Sequence, residues 1–162
     1  MKRHRHLLSL VLLIFALSTC QGGDESLSPP EIRYGEDVCD QCNMIISEPR
    51  FAAAYAAEDG NTRRFDDIGE MFLYAHERNE IVHAFWVHDY HSEDWIEASG
   101  ATYVHNPRLM TPMGWGIAAF AGAADARRYG GEQGATVLTF DDLQEQVQQG
   151  ELAPQGMARH DH

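Results

Sequence analysis

Lysine is almost absent from this 162-residue sequence, in which Lys2 is the only one. Its absence from the rest of the chain excludes a P-loop lysine for phosphate groups and a lysine that forms a Schiff base. Basic residues are scarce in general, because 12 Lys and Arg stand against 25 Asp and Glu for a net charge of −13. A basic nucleic-acid-binding face is therefore excluded. The spacing of Ser, His and acidic residues predicts no catalytic triad or carboxylate pair, so we expect no enzyme.

Long hydrophobic runs are missing except for one near the N-terminus, where the basic residues 1–6 precede the apolar run Leu7–Leu17. A membrane-spanning helix needs about 20 apolar residues, so this pattern predicts a cleaved signal peptide over residues 1–19. Leu17-Ser18-Thr19-Cys20 resembles the bacterial lipoprotein box and predicts a lipid on Cys20; an ordinary secretory signal is the alternative. We expect a lipoprotein on the periplasmic side of a bacterial membrane, and Gln21 favours the outer membrane.

Apolar periodicity is also missing at both ends of the exported chain. Residues 20–36 are rich in Gly, Pro and acidic side chains, which predicts a flexible tether. Residues 37–150 are predicted to form one compact domain. Residues 151–162 are predicted to be a disordered tail, in which His160 and His162 are weak metal-binding candidates.

Cysteine is rare: with Cys20 assigned to lipid, the three cysteines leave one C-x-x-C pair, Cys39 and Cys42. In an exported protein such a pair could be a disulfide, a thioredoxin-like redox pair or part of a soft-metal site. A redox pair requires a lowered thiol pKa, whereas the acidic stretch 33–38 favours a raised one. A structural zinc site needs a second pair of ligands that the sequence lacks. Met44 adds a thioether, and two soft sulfur donors suit Cu(I), although spacing alone leaves these alternatives open.

The order of predicted strands and helices occurs twice. In the first half, period-two apolar patterns and turn residues predict two strands, a helical apolar pattern after Asp66-Asp67 predicts a helix, and a further strand follows. The second half repeats this order and ends with a final helix. The predicted fold is α+β, with tandem ββαβ units over about residues 48–92 and 98–142 in one compact domain. The predicted elements are Phe51–Ala57, Thr62–Phe65, Ile68–Arg78, Ile81–Tyr90, Ser99–Val104, Gly116–Phe120, Gly122–Tyr129, Thr136–Phe140 and Asp141–Gln149.

The segment Met110–Gly116 interrupts the second predicted hairpin with Pro, Gly and Trp, which indicates a shaped loop. Such loops often carry function. Met113 could bring a thioether to Cys42 and Met44, or it could fill the hydrophobic core as methionines commonly do. Composition is consistent with both interpretations.

Five short segments occur in a characteristic order. They are Cys42-Asn43-Met44-Ile45-Ile46-Ser47, Phe51-Ala52-Ala53-Ala54, Phe65-Asp66-Asp67-Ile68, Asp94-Trp95-Ile96-Glu97-Ala98 and Thr111-Pro112-Met113-Gly114-Trp115-Gly116. Together they resemble the NosL family of lipoproteins over about Asp37–Leu143. The resemblance implies a lipid-anchored Cu(I)-binding metallochaperone that delivers copper to nitrous oxide reductase through a membrane ABC-type assembly complex. It also implies a duplicated ββαβ fold that resembles organomercurial lyase (MerB-like).

The resemblance implies a copper ligand set of Cys42 and Met44, with Met113 as a third donor. Cys39 fits the C-x-x-C-x-M form found in the family and is a further candidate. A histidine ligand is also consistent with the resemblance: His83, His88, His91 and His105 lie in or next to predicted strands, and His88 is the first candidate because it begins the densest histidine group. Two other functions stay open: a thiol–disulfide oxidoreductase that uses the cysteine pair, and a copper-storage or resistance lipoprotein.

Overall fold

The computed structural model describes residues 28–155. The predicted signal peptide 1–19, Cys20 and the two tail histidines, His160 and His162, lie outside the described residues. Within the described range the chain forms seven strands and three α-helices. In chain order they are β1 (Ala53–Ala57), β2 (Thr62–Phe65), α1 (Ile68–Arg78), β3 (Val82–His88), β4 (Trp95–Glu97), β5 (Thr102–His105), β6 (Ile117–Phe120), α2 (Ala123–Gln133), β7 (Thr136–Leu138) and α3 (Phe140–Gln148).

The first unit is built around α1. Its apolar residues at positions i, i+3, i+4 and i+7 from Ile68 are all buried, so one face of the helix packs into the core. The helix begins after the side-chain cap of Asp67 and ends at Asn79, which adopts a left-handed φ of +52°. The strands form an antiparallel sheet in the order β2-β1-β3-β4.

The second unit repeats this arrangement. β5 lies between β6 and β7 in an antiparallel sheet, as β1 lies between β2 and β3. In both units the helix connects the second strand to the third. The predicted α+β fold with two tandem ββαβ units is therefore confirmed. β4 is an addition that the sequence pattern does not predict, because three residues are too few to show an alternation.

The two units share one hydrophobic core. Tyr55 and Phe72 of the first unit belong to the same buried cluster as Tyr103 and Leu138 of the second. The rings of Phe72 and Tyr103 meet edge to face at 6.5 Å. Because the buried apolar surface is common to both units, it fixes loops of one unit relative to loops of the other.

The chain before residue 37 also packs on this core. Ile32 is 8% exposed, and the Gly35 N–H donates to the Ile46 carbonyl at 2.8 Å. Residues 32–36, which lie inside the predicted tether 20–36, are thus part of the folded structure. The pattern misses them because only Ile32 and Tyr34 pack against the core, and two residues are too few to show a periodicity. In residues 28–155 no helix is long and apolar enough to cross a membrane.

Candidate metal centre

The C-x-x-C sequence forms a tight turn. The Cys39 N–H donates to the Met44 carbonyl at 2.8 Å, and the Asn43 N–H donates to the Cys39 carbonyl at 3.0 Å. Asn43 has a left-handed φ of +61°, a conformation that asparagine adopts more readily than most residues. Cys39 and Cys42 are both free, and the turn places their sulfur atoms within 4.8 Å of each other.

Strand β2 anchors this turn through two reciprocal hydrogen bonds. The Asp40 N–H donates to the Arg64 carbonyl at 2.9 Å, and the Arg64 N–H donates to Asp40 Oδ2 at 2.8 Å. Because α1 begins three residues after β2 ends, the anchor also fixes the turn relative to the start of the helix.

Glu70, in the first turn of α1, faces the two thiols. The Cys39 Sγ donates to Glu70 Oε2 at 3.1 Å, and both sulfurs and a Glu70 oxygen lie within 4.8 Å of one another. Cys39 is 1% exposed and Glu70 3%, whereas Cys42 is partly exposed. No local sequence pattern marks Glu70, because its contact with Cys39 joins residues 31 positions apart.

Burial controls the protonation of this cluster. It raises the thiol pKa of Cys39 far above its ordinary value and raises that of Cys42, and hydrogen bonds to the sulfurs offset only part of the effect. Burial likewise raises the carboxyl pKa of Glu70. Both thiols therefore carry their protons at neutral pH, and a metal ion that binds sulfur must displace a proton.

A pocket of about 340 Å³ opens beside Cys42. Met113 lies in the loop between β5 and β6 and also lines it, so Cys42 and Met113 border the same cavity. Leu73 and Trp115 add apolar surface, and Glu70 adds a carboxylate. The pocket thus brings together two sulfur-containing residues from distant parts of the chain, and it is partly open to solvent.

The loop that carries Met113 is tied to the start of α1. The Thr111 hydroxyl donates to Asp67 Oδ2 at 2.5 Å, and the Met113 N–H donates to the same oxygen at 3.2 Å. The other oxygen, Oδ1, accepts the Gly69 N–H at 3.4 Å and caps the helix. Asp67 is fully buried, and burial raises its pKa to about 7.

Trp115 packs directly on Gly69 of α1. A Cβ atom on Gly69 would lie 2.0 Å from Cδ2 of the indole, so this approach requires glycine. Trp115 is 3% exposed, and its Nε1 is the one buried side-chain polar atom in residues 28–155 without a hydrogen-bond partner. The indole therefore forms a fixed inner wall of the pocket.

A sequence model of the NosL family matches residues 32–148, which is most of the chain. The chain belongs to the NosL family. A curated relative, the copper-binding lipoprotein NosL of Stutzerimonas stutzeri, is 30% identical over 165 residues, which cover 94% of this chain and 86% of the relative. The crystal structure of the copper chaperone NosL from Shewanella denitrificans matches with a TM-score of 0.63 at 20% identity, over 71% of this chain and 94% of that one. This structural likeness supports the same α+β fold.

Besides Cys39, two of the predicted copper ligands in this NosL-family chain do not line the pocket. Met44 lies beside Cys42 in the turn, but its side chain is 54% exposed and it contributes its carbonyl to the bond with Cys39. His88 ends β3 and is 3% exposed; its Nδ1 donates to the Glu93 carbonyl at 2.6 Å and its Nε2 accepts from the Tyr34 hydroxyl at 2.7 Å. Burial lowers the pKa of His88, which keeps the ring neutral in this arrangement. Both ring nitrogens are engaged, so this His88 presents no lone pair to a metal ion.

The last described residues of this NosL-family chain form one side of the pocket. Leu152 packs against the core, and the Gln155 N–H donates to the Gly114 carbonyl at 2.8 Å. Pro154 and Gln155 both line the cavity. The first part of the predicted tail 151–162 is therefore in contact with the Met113 loop, because a backbone hydrogen bond holds it where composition alone predicts disorder.

Proposed function

We propose that this NosL-family protein is a metallochaperone that binds one Cu(I) ion between Cys42 and Met113 and delivers it for the maturation of nitrous oxide reductase. The observation that carries the proposal is that a cysteine and a methionine from distant parts of the chain line one partly open pocket. Soft sulfur ligands favour Cu(I) over harder ions. The names of the two relatives, a copper-binding lipoprotein and a copper chaperone, support copper as the metal.

The remaining sulfur atoms complete the proposed ligand set. Cys39 lies next to Cys42 and is the candidate second thiolate, and its thiol donates a hydrogen bond to the carboxylate of Glu70. Met44 stays a predicted ligand, and an exposed thioether two residues from Cys42 suits an ion that must leave for a partner. An open shell of few soft ligands suits delivery better than storage, because ligands of the recipient can enter it.

We further propose that the protein acts outside the cytoplasm, held at a bacterial membrane by lipid on Cys20, with the outer membrane favoured. The proposed recipient is nitrous oxide reductase or its ABC-type assembly complex. A copper-storage or resistance lipoprotein would use the same pocket but would not release copper to that complex. The proposed role is non-enzymatic.

The thiol–disulfide oxidoreductase alternative receives less support from the site. Its attacking thiol needs a lowered pKa and access to solvent. Cys39 is buried, and burial raises the pKa of both thiols. These properties disfavour a nucleophilic thiolate, whereas a metal ion that binds the sulfur can still replace the thiol proton, which is released to solvent.

Titration of the purified, reduced protein with Cu(I) against a chelator of known affinity tests the proposal. We expect one Cu(I) per chain and an ultraviolet thiolate-to-copper absorption band. Incubation of the loaded protein with the assembly complex should then transfer copper to the complex. Retention of copper would favour storage, whereas a protein that binds no Cu(I) but reduces a model disulfide would be an oxidoreductase.

Copper affinity is expected to fall as the pH falls. Since the raised pKa of Cys42 keeps its thiol protonated at neutral pH, Cu(I) binding releases a proton, and the apparent dissociation constant should rise about tenfold per pH unit on acidification. If Cys39 is also a thiolate ligand, the rise approaches about 100-fold per unit. Chelator competition at pH 6, 7 and 8 gives the slope, and an affinity independent of pH would contradict a thiolate ligand.

Removal of residues 152–162 is expected to weaken Cu(I) binding about tenfold, because Pro154 and Gln155 line the pocket and the Gln155 N–H holds Gly114. Removal of residues 156–162 alone is the control and should leave affinity within about twofold of the full chain. The same chelator assay measures both. If removal of residues 156–162 alone also lowers the Cu(I) affinity, this prediction is wrong and residues such as His160 contribute to binding.

A further inference from the structure

The buried carboxylate of Asp67 lies between the start of α1 and the loop that carries Met113. We infer that Asp67 is a positioning residue that holds the thioether of Met113 in the copper pocket, through Thr111 and the Met113 backbone. The inference rests on the proposed function, because it takes Met113 as a copper ligand. Asp67 is not itself in the ligand set, since both of its oxygens accept hydrogen bonds inside the protein.

One oxygen of Asp67 carries the contact with the loop. Oδ2 accepts from the Thr111 hydroxyl at 2.5 Å and from the Met113 N–H at 3.2 Å. The Thr111 hydroxyl in turn accepts the Gly116 N–H at 3.1 Å. A single carboxylate oxygen thus fixes the loop at its start, at Met113 and, through Thr111, at its end.

The composition of the loop makes an external anchor necessary. Pro112 has no N–H to donate, and Gly114 and Gly116 have φ values of +74° and +65°, in a region that glycine enters and leaves freely. Methionine adds three rotatable side-chain bonds. Without an anchor, copper binding would have to order both the loop and the thioether, and the lost entropy would lower affinity.

Asp67 also relates Met113 to the cysteines. Through Oδ1 it caps α1, and the first turn of α1 carries Glu70, which accepts the hydrogen bond from Cys39. The start of one helix therefore sets the separation between the thioether side and the thiol side of the pocket. Neither side depends on a ligand for its position.

Asp67→Asn tests the inference without removing the helix cap. Asparagine caps helices as well as aspartate, so Oδ1 keeps its bond to Gly69, but an NH₂ group replaces Oδ2 and cannot accept the Met113 N–H. We expect the Cu(I) affinity of the full chain to fall about 10- to 100-fold, as when a metal ligand loses an outer partner. Competition with a Cu(I) chelator measures it.

A double-mutant cycle separates positioning from a general structural effect. If Asp67 acts through Met113, Asp67→Asn costs less than about twofold once Met113→Leu is present. Copper X-ray absorption should show the same reduced number of sulfur neighbours in the two single variants. Asp66→Asn is the matched control, because it makes the same change at the adjacent buried carboxylate. Asp66 accepts the Ser47 N–H at 3.2 Å. The substitution should change the Cu(I) affinity by less than about twofold.

Thr111→Val is a second variant, which removes the hydroxyl at nearly constant volume and should weaken binding about tenfold. It keeps the test decisive if Asp67→Asn fails to fold. The inference would be overturned if the folded variants bind Cu(I) with unchanged affinity, or if Asp67→Asn lowers the affinity equally with and without Met113→Leu. Either result would leave the proposed copper-binding function standing. A wild-type protein that binds no Cu(I) would instead overturn the proposed function, and the inference with it.

Discussion

Cu(I) affinity is expected to fall more than about 100-fold in the Cys42→Ser protein, beyond what the loss of an outer-shell partner costs. Cys42 is the partly exposed thiol that lines the pocket with Met113, and a serine hydroxyl is neither soft nor ionised at neutral pH. Serine is close to cysteine in size, so the turn should keep its fold. Chelator competition and the loss of the thiolate-to-copper absorption band measure the effect.

Cys39→Ser is the matched comparison for this variant. It makes the same change at the buried thiol, and serine can still donate a hydrogen bond to Glu70. We expect a smaller loss of affinity here than at Cys42, because Cys39 does not line the cavity. A Cys42→Ser protein that binds Cu(I) as tightly as the wild type would contradict the proposed site.

The fold could be predicted from local patterns wherever several of them coincide. The predicted bounds of α1 and β2 agree with the structure, since an apolar face and an aspartate cap mark the helix and turn residues mark the strand. The predicted end of α2 at Tyr129 is four residues short. The reason is Gly130, where a Cβ would lie 2.9 Å from Val137: this glycine permits close packing of α2 against β7 and does not end the helix.

The site could be predicted only in part, because its geometry depends on contacts between distant residues. Cysteine spacing indicates Cys39 and Cys42, and family resemblance adds Met113, which the structure places in the same pocket as Cys42. Nothing local marks Glu70 as a partner of the thiols. The density of histidines around His88 is a feature of the sequence alone. In the folded protein both ring nitrogens of His88 form hydrogen bonds, with Tyr34 and Glu93, and no local pattern indicates these partners.

The second large effect is expected for Gly69→Ala, which should destabilise the fold by about 3 kcal/mol, the upper end of the cost of overpacking a core. The new Cβ would lie 2.0–2.4 Å from three atoms of the Trp115 ring, so the indole must leave its place against α1. Alanine is the better helix former, but that gain is at most about 1 kcal/mol and does not offset the overlap. Denaturant unfolding gives the free energy, and tryptophan fluorescence reports the displacement of Trp115.

Gly131→Ala makes the same change in α2, at a position where a Cβ would meet nothing within 4 Å. There only helix propensity acts, and we expect a gain of about 0.5–1 kcal/mol. Changes of opposite sign in the free energy of unfolding at Gly69 and Gly131 would show that the contact with the indole, and not helix propensity, requires glycine at position 69. Equal small gains would mean that Trp115 moves aside at little cost and that the inner wall of the pocket is not rigid.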